Sequence, residues 1–418
     1  MRAHTRQRKG ERTARCSTLS LAVLTSFALL LACNHACPVA GWHPEVPEAP
    51  QADAAPEEAV QPLEGDATCP PGAPDCNVCA PNIQAQFEAA QWRGEARRWS
   101  FEPRPGHAVA PRRAYFAGLN GHAQGFVRLN TPTEAYAMVH SKGRPRGFAS
   151  LSFVANTGSR LELLSLFPLE ARGGHTTGVF TLGDQIAVLV KPRTLAFVDV
   201  ASAFAGTPRI RHIELWSPDD VPFMAAPKAH GLTDWSGGIA MAKRAVGDYV
   251  LLANEGGDRA SSGRSHVFIV APPRDVLDGS QLPTVEVGKA SYPVGFPLCA
   301  EHHHSENVSL ITECGSGDLY AVHVGSNDTV RARGFEPGTF HTFWRLSRLI
   351  VKDGEVTLEP RGVYLRRASL DECHGRSAGS VYVDPDTRRL QLLCHEREQH
   401  DATRGRWHFW QQVSGEAR

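Results

Sequence analysis

Histidines and carboxylates are concentrated in one stretch, Glu301-His302-His303-His304-Ser305-Glu306, directly before a run of apolar residues. Other histidines stand at comparable positions before similar runs elsewhere in the chain. Imidazole and carboxylate groups that meet in space suit zinc, copper or another borderline transition metal. The candidate metal or ligand residues are His122, His175, His303, His304 and His374. The alternative is structural: each histidine ties its loop to a neighbouring repeat by hydrogen bonds.

Carboxylates in the same kind of loop suggest a second chemistry. Glu301 and Asp371 are the candidates for catalytic residues of a glycoside hydrolase, an activity that uses a pair of carboxylates on either side of the scissile bond. Their separation, which decides between inverting and retaining chemistry, does not follow from the sequence. The chain has no Gly-x-Ser-x-Gly elbow, no phosphate-binding P-loop and no Gly-x-Gly-x-x-Gly after a strand.

Repeated β-strand patterns position these residues. Equivalent points of the repeats are residues 125, 178, 238, 307 and 379, which are spaced by 53, 60, 69 and 72 positions. Each repeat holds three or four short apolar runs separated by turns such as Gly183-Asp184. One small twisted sheet cannot bury both of its faces alone, whereas sheets packed radially cover one another. Repeats of this length therefore predict the blades of a propeller.

The pattern resembles the β-propeller superfamily, particularly exported bacterial propellers whose blades begin with a turn containing His or Gly. The resemblance spans residues 95–415 and rests on pattern alone; the Trp-Asp and kelch signatures are absent, so no subfamily is identified. It implies an all-β fold with five blades, and six is the alternative because residues 349–358 form an extra hairpin. Only 39 residues follow Gly379, so we expect strands 98–101 and 406–413 to close the ring together. Loops that enter the innermost strands would then surround the axial channel.

Four cysteines lie in the repeats. In an exported protein an even number of cysteines predicts disulfides. Among the three connectivities we favour Cys299–Cys314 and Cys373–Cys394, because each pair brackets one inner strand; a zinc site is the competing interpretation. Further upstream, Cys69, Cys76 and Cys79 lie in a proline-rich segment, which predicts a small disulfide knot, with Cys37 as a further candidate member.

The N-terminus has the pattern of an export signal. A basic region reaches Arg15, an apolar segment follows, and the signal ends in Leu30-Leu31-Ala32-Cys33. These four residues resemble the bacterial lipobox, which implies that Cys33 becomes a lipidated N-terminus. An ordinary signal peptide or an uncleaved anchor is the alternative. Asn34 is not the Asp of the inner-membrane retention signal, so the resemblance favours the outer membrane, facing the periplasm or the cell surface.

Composition divides the chain into three parts. Residues 1–32 are the predicted lipoprotein signal peptide, and residues 33–80 are an acidic tether rich in Pro and Ala. Residues 81–418 are the predicted propeller domain. Residues 34–80 contain nine prolines and eight acidic residues without Lys or Arg, which is typical of an extended segment. No part is basic enough to predict a nucleic-acid partner.

These patterns favour a binding or scaffolding module over an enzyme. We expect a chain anchored to a bacterial membrane by an N-terminal lipid, with a protein or glycan ligand at the axial loop face. A propeller hydrolase acting at the same face is the first alternative, and a metal-dependent enzyme built on the axial histidines is the second. No cofactor is predicted beyond the transition metal of that second alternative.

Overall fold

The computed structural model describes residues 77–92, 97–103, 123–140, 149–158, 161–169, 177–191, 194–216, 238–244, 247–254, 264–270, 281–291, 304–326, 340–352, 355–368, 379–395, 399–401 and 406–415. Most of these residues are β-strands in antiparallel sheets, as the sequence predicts. Predictions for Cys33, the lipobox and the tether up to residue 76 lie outside the described residues.

The strands follow one another as four-stranded meanders. A helix and two strands come first: α1 (Ile83–Ala89), β1 (Gln91–Trp92) and β2 (Arg97–Pro103). The first meander is β3 (Ala123–Arg128), β4 (Ala135–His140), β5 (Ala149–Asn156) and β6 (Leu161–Leu169). The second is β7 (Thr177–Leu182), β8 (Gln185–Lys191), β9 (Thr194–Asp199) and, after the short helix α2 (Val200–Phe204), β10 (Ile210–Trp216).

The pattern continues towards the C-terminus. The third meander is β11 (Ile239–Lys243), β12 (Tyr249–Asn254), β13 (Arg264–Val270) and β14 (Gln281–Ser291). The fourth is β15 (His304–Thr312), β16 (Leu319–Ser326), β17 (Phe340–Lys352) and β18 (Glu355–Ala368). The last strands are β19 (Gly379–Val383), β20 (Leu390–His395), β21 (Gln399–Asp401) and β22 (Arg406–Gly415).

The ends of the chain share one sheet. Strand β22 pairs antiparallel with β20 and with β2, so that Trp99 lies opposite Phe409. The two segments expected to meet, near residues 98–101 and 406–413, therefore pair with each other. The hairpin at residues 349–358, which suggested an additional blade, belongs to β17 and β18 of the fourth meander.

Neighbouring meanders bury apolar faces against one another. In β8, residues Ile186–Val190 form an uninterrupted buried run, which is the pattern of a strand covered on both sides. One apolar cluster joins the first and second meanders, and another joins the second, third and fourth. A further cluster packs the fourth meander against β20 and α1. The core therefore lies between sheets, as in a β-propeller.

The N-terminal helix is short. Helix α1 ends at Ala89, and residues 97–103 are strand β2. Ile83 and Phe87 are one turn apart and both are buried, whereas the following residues lack this spacing. In the part of the chain that the structure describes, every helix is too short to cross a bilayer.

Candidate functional site

The first strands of the meanders approach one another around a narrow channel. Strand β7 contacts β3 and β11, and β15 contacts β11 and β19, which in turn contacts β3. Each strand contributes to the wall of a cavity of about 40 Å³, which has room for only a few waters at about 10–15 Å³ each. Its lining includes Val127, Phe180, Met241, Leu310 and Tyr382. The cavity at this level is too small for a sugar ring.

Glycines allow the first strands to approach closely. A Cβ atom on Gly238 would lie 2.5 Å from the backbone nitrogen of Val308, closer than real Cβ contacts. A Cβ atom on Gly178, which has φ +58°, would lie 2.9 Å from the nitrogen of Ile239. A Cβ atom on Gly125 or Gly379 would lie similarly close to the side chain of a valine on a neighbouring strand. Four of the five equivalent positions identified in the sequence are thus positions of close contact between neighbouring meanders; Asn307 occupies the fifth.

One end of the channel is covered by the segment that precedes α1. Asn77 and Val78 line the cavity from this side, which we call the covered mouth. The amide nitrogen Nδ2 of Asn77 donates to the carbonyl of Thr181 at 2.6 Å, and its Oδ1 accepts from the backbone nitrogen of Gly183 at 3.1 Å. Both partners belong to the first hairpin of the second meander. The folded part therefore includes residue 77, before the boundary expected at residue 81.

A disulfide fixes the same segment to a second meander. Cys79 is bonded to Cys314, which follows β15, with 5.1 Å between their Cα atoms. The expected pairing of Cys299 with Cys314 is therefore wrong. The nine extended residues of β15 lie between those two cysteines and span about 30 Å, whereas a disulfide needs Cα atoms within about 7 Å. Cys79 also does not pair with Cys69 or Cys76, as the predicted disulfide knot required, because its partner is Cys314.

Backbone and side-chain contacts extend this attachment into α1. Ala80 donates to the carbonyl of Thr312, and its own carbonyl accepts from the backbone nitrogen of Cys314. The side chain of Gln86 accepts a hydrogen bond from the backbone nitrogen of Leu390 at 2.8 Å. Residues 77–89 are thus bound to the hairpins of three sheets at the covered mouth.

Of the histidine and carboxylate site residues predicted from the sequence, the structure describes only His304. His122, His175, His303, His374, Glu301 and Asp371 are outside the described residues. His304 is the first residue of β15, where its backbone lies opposite Ser326. Their convergence around the axis stays a prediction. The second predicted disulfide, Cys373–Cys394, also stays a prediction, because Cys373 is outside the described residues. Among the residues that the structure describes, no three potential metal ligands come together.

Sequence analysis missed a buried basic pair in the fourth meander. His323 and Arg345 lie directly opposite each other on β16 and β17, and they are 1% and 3% exposed. Burial lowers the pKa of His323 to about 3, and the charge of Arg345 acts in the same direction. Burial also lowers the pKa of Arg345 to about 10. At neutral pH the pair is thus a neutral imidazole beside a guanidinium cation.

A polar contact joins the first meander to strands β19 and β20 at the covered mouth. The guanidinium of Arg128 donates to the amide oxygen of Gln391 at 2.6 Å and lies over the Tyr382 ring. Burial raises the pKa of Tyr382 to about 12, although Arg128 opposes the shift. The phenol therefore stays protonated at physiological pH. No sequence pattern predicted this contact, because its partners come from opposite ends of the chain.

No protein-family model matches the sequence, and no curated protein matches it. Solved structures with similarity include a GH43_1 enzyme from Xanthomonas citri, at 10% identity and a TM-score of 0.34, covering 68% of this chain and 90% of that one. An α-L-arabinanase of Penicillium chrysogenum, complexed with arabinobiose, is 10% identical with a TM-score of 0.36, covering 76% and 98%. A periplasmic gluconolactonase of Pseudomonas aeruginosa is 11% identical with a TM-score of 0.27, covering 67% of each chain.

Proposed function

We propose that this chain is an exported, lipid-anchored β-propeller of five blades that binds a protein or glycan ligand. We place the ligand face at the mouth opposite Asn77, at the ends where the first strands begin. The observation that supports this proposal is that the Asn77–Thr181 and Cys79–Cys314 contacts occupy one end of the cavity, so we place the ligand at the other end.

The blade count is supported by contacts between first strands. Each of β3, β7, β11, β15 and β19 contacts the next, and β19 contacts β3. We infer that β19, β20, β22 and β2 form the fifth blade from both ends of the chain, and that the β2–β22 pairing closes the ring. The hairpin of β17 and β18 belongs to the fourth blade, which favours five blades over six.

The proposed localisation rests on the N-terminal signal. Acyl chains on Cys33 would hold the protein at the outer membrane, and residues 34–76 would space the propeller from the lipid. Labelling cells with radioactive palmitate should mark the wild-type protein and not a Cys33→Ser variant. Equal labelling of the two proteins would contradict the lipoprotein proposal.

A ligand screen with matched variants tests the proposed face. Full-length protein in detergent is assayed against a glycan array and against envelope proteins of the source cell. We expect a ligand whose binding weakens about tenfold or more in Glu301→Gln, Asp371→Asn or the His303→Ala/His304→Ala variant. Asp386→Asn is the control, because Asp386 is exposed in the turn after β19, at the covered mouth.

The same samples separate binding from the two enzymatic alternatives. A hydrolase would release new reducing ends from a bound glycan, and that release would stop in Glu301→Gln or Asp371→Asn. A metal enzyme would hold about one transition metal per chain, lost from the His303→Ala/His304→Ala variant. Either result would replace the binding-module proposal. Binding that is lost in Asp386→Asn but retained in Glu301→Gln would place the ligand at the covered mouth and would contradict the proposed ligand face.

A further inference from the structure

We propose that the Cys79–Cys314 disulfide is formed by thiol–disulfide exchange with an external dithiol protein of the isomerase class, and not by direct oxidation of its two thiols. The proposal concerns a transient partner of the folding chain. It rests on the export proposed above, because disulfides form in an oxidising compartment. It does not depend on the identity of any ligand.

The first supporting observation is the length of the loop that this disulfide closes. Cys79 and Cys314 are 235 positions apart. Cys69 and Cys76 precede Cys79 by only ten and three positions. Because the entropic cost of loop closure grows as about (3/2)RT ln n, an unfolded chain brings Cys79 to Cys69 about 100-fold more often than to Cys314. Oxidation of the unfolded chain therefore favours local pairs.

The second observation is that distant parts of the chain position Cys79. Its neighbour Ala80 donates to the carbonyl of Thr312 at 3.0 Å, in the fourth meander. Asn77 bonds to the first hairpin of the second meander. The Cα atoms of Cys79 and Cys314 therefore come within 5.1 Å only after both meanders have formed.

The order of arrival also favours local pairs. At about 5–20 residues per second, a chain exported during its synthesis exposes Cys79 about 10–50 s before Cys314. Disulfides form within seconds where the oxidant is efficient. An oxidant removes electrons from thiols and does not break a disulfide that already exists. Once Cys79 has paired locally, only exchange leads to the native disulfide.

The exchange has two steps. The thiolate of the external dithiol attacks Sγ of Cys79, and the electron pair of the local disulfide leaves on Sγ of Cys69 or Cys76. The thiolate of Cys314 then attacks Sγ of Cys79, and the external thiolate leaves. The proton lost by Cys314 is replaced by one bound at the released local thiolate. No electrons are gained or lost overall, and the dithiol is regenerated.

A cation stands where the second step takes place. Nη1 of Arg388 lies 3.5 Å from Sγ of Cys79 and 3.5 Å from Sγ of Cys314. A guanidinium stabilises a thiolate, so the fraction of Cys314 that is able to attack increases. The backbone nitrogen of Arg388 donates to the carbonyl of Asp384, which fixes the turn that presents the side chain. Cys314 is only partly buried, whereas Cys79 is 3% exposed in the product.

Oxidative refolding of the full-length protein in detergent tests the need for exchange. Reduced, unfolded protein is diluted into buffer with diamide, an oxidant that contains no thiol, or into glutathione buffer with a protein disulfide isomerase. Alkylation and mass spectrometry then map the disulfides. We expect the native pair in less than about a tenth of the chains with diamide, and at least about fivefold more with the isomerase.

Variants identify the competing thiols. A Cys69→Ser/Cys76→Ser/Cys299→Ser variant should form the native pair with diamide alone in at least about threefold higher yield than the parent, because its nearest competitors are absent. Cys394→Ser is the matched control and should keep the parental yield. Because refolding in vitro involves no membrane, its outcome is independent of the palmitate test of export.

A rate measurement tests the cation. The mixed disulfide between Cys79 and the isomerase should resolve about fivefold more slowly in Arg388→Gln, and at nearly the parental rate in Arg388→Lys, which keeps the charge. Two results would overturn the proposal. One is a parent that forms Cys79–Cys314 as completely with diamide as with the isomerase. The other is a triple cysteine variant that needs the isomerase as much as the parent does.

Discussion

The guanidinium carbon of Arg128 lies 4.4 Å from the centroid of the Tyr382 ring, and Nη1 of the same arginine donates to Gln391, 263 residues further along the chain. Arg128 ends β3, whereas Tyr382 and Gln391 belong to β19 and β20. The contact joins the first meander to the hairpin of β19 and β20 at the covered mouth. It lies where the proposed ring brings its first and fifth blades together.

Removal of this contact should weaken the junction between β3 and the hairpin of β19 and β20. We expect Arg128→Ala to lower the free energy of unfolding by about 1–2 kcal/mol, since it loses a charge-assisted hydrogen bond and a cation–π contact. Urea denaturation measures the change. Arg361→Ala is the matched control, because Arg361 pairs with Glu359 of its own strand and should cost less than about 0.5 kcal/mol. Equal losses in both variants would contradict a special role for the junction.

Close packing of the first strands predicts a severe effect of one methyl group. Gly238→Ala should destabilise the protein by about 3 kcal/mol or more, because the new Cβ would lie 2.5 Å from the backbone of β15. Gly362→Ala is the control, since its Cβ would meet only the Phe87 ring at an ordinary 3.6 Å. Thermal unfolding of the two variants compares them. Similar melting temperatures would show that the meanders are not in such close contact.

The buried His323 predicts a specific pH dependence. Burial, aided by Arg345, lowers its pKa from 6.5 to about 3, so the unfolded chain binds a proton in this range and the folded chain does not. The folded state therefore loses about 1.4 kcal/mol of relative stability for each pH unit below about 6.5. This loss ends as the pH falls through the folded pKa.

A His323→Gln variant isolates that contribution. Its free energy of unfolding, measured by urea denaturation from pH 7 to pH 4.5, should fall less steeply than that of the parent. The exposed His212→Gln variant is the control and should keep the parental slope. Parallel curves for His323→Gln and the parent would mean that the imidazole charges in the folded state.

The hydrogen bonds of Asn77 predict a local effect with little global cost. Asn77→Ala should speed exchange of the Gly183 amide about tenfold, because that amide loses its acceptor Oδ1. The disulfide remains, so the urea midpoint should change little. Asn156→Ala is a useful comparison, since Asn156 bonds to Gly158 and Glu134 in a different turn. A Gly183 amide that exchanges equally fast in the parent would contradict the covered mouth.

The amino-acid sequence by itself determined the strands and their grouping. Alternating and continuous apolar runs are local signals, and strands such as β4, β8, β12 and β16 form at such runs. The recurrence of Gly125, Gly178, Gly238 and Gly379 also identified the points where neighbouring meanders touch, because a missing side chain at equivalent positions reflects close approach.

Only the tertiary structure decided which distant segments meet. The partner of Cys314 is Cys79 and not Cys299, because a rigid strand separates the nearer cysteine and no local rule reports a contact across 235 residues. His323 and Arg345 stand in an alternating strand pattern, and their burial depends on the sheet that packs over them. The docking of residues 77–80 likewise depends on hairpins contributed by other meanders. Periodicity along the chain encodes the faces of strands, whereas contacts between sheets depend on how those faces assemble.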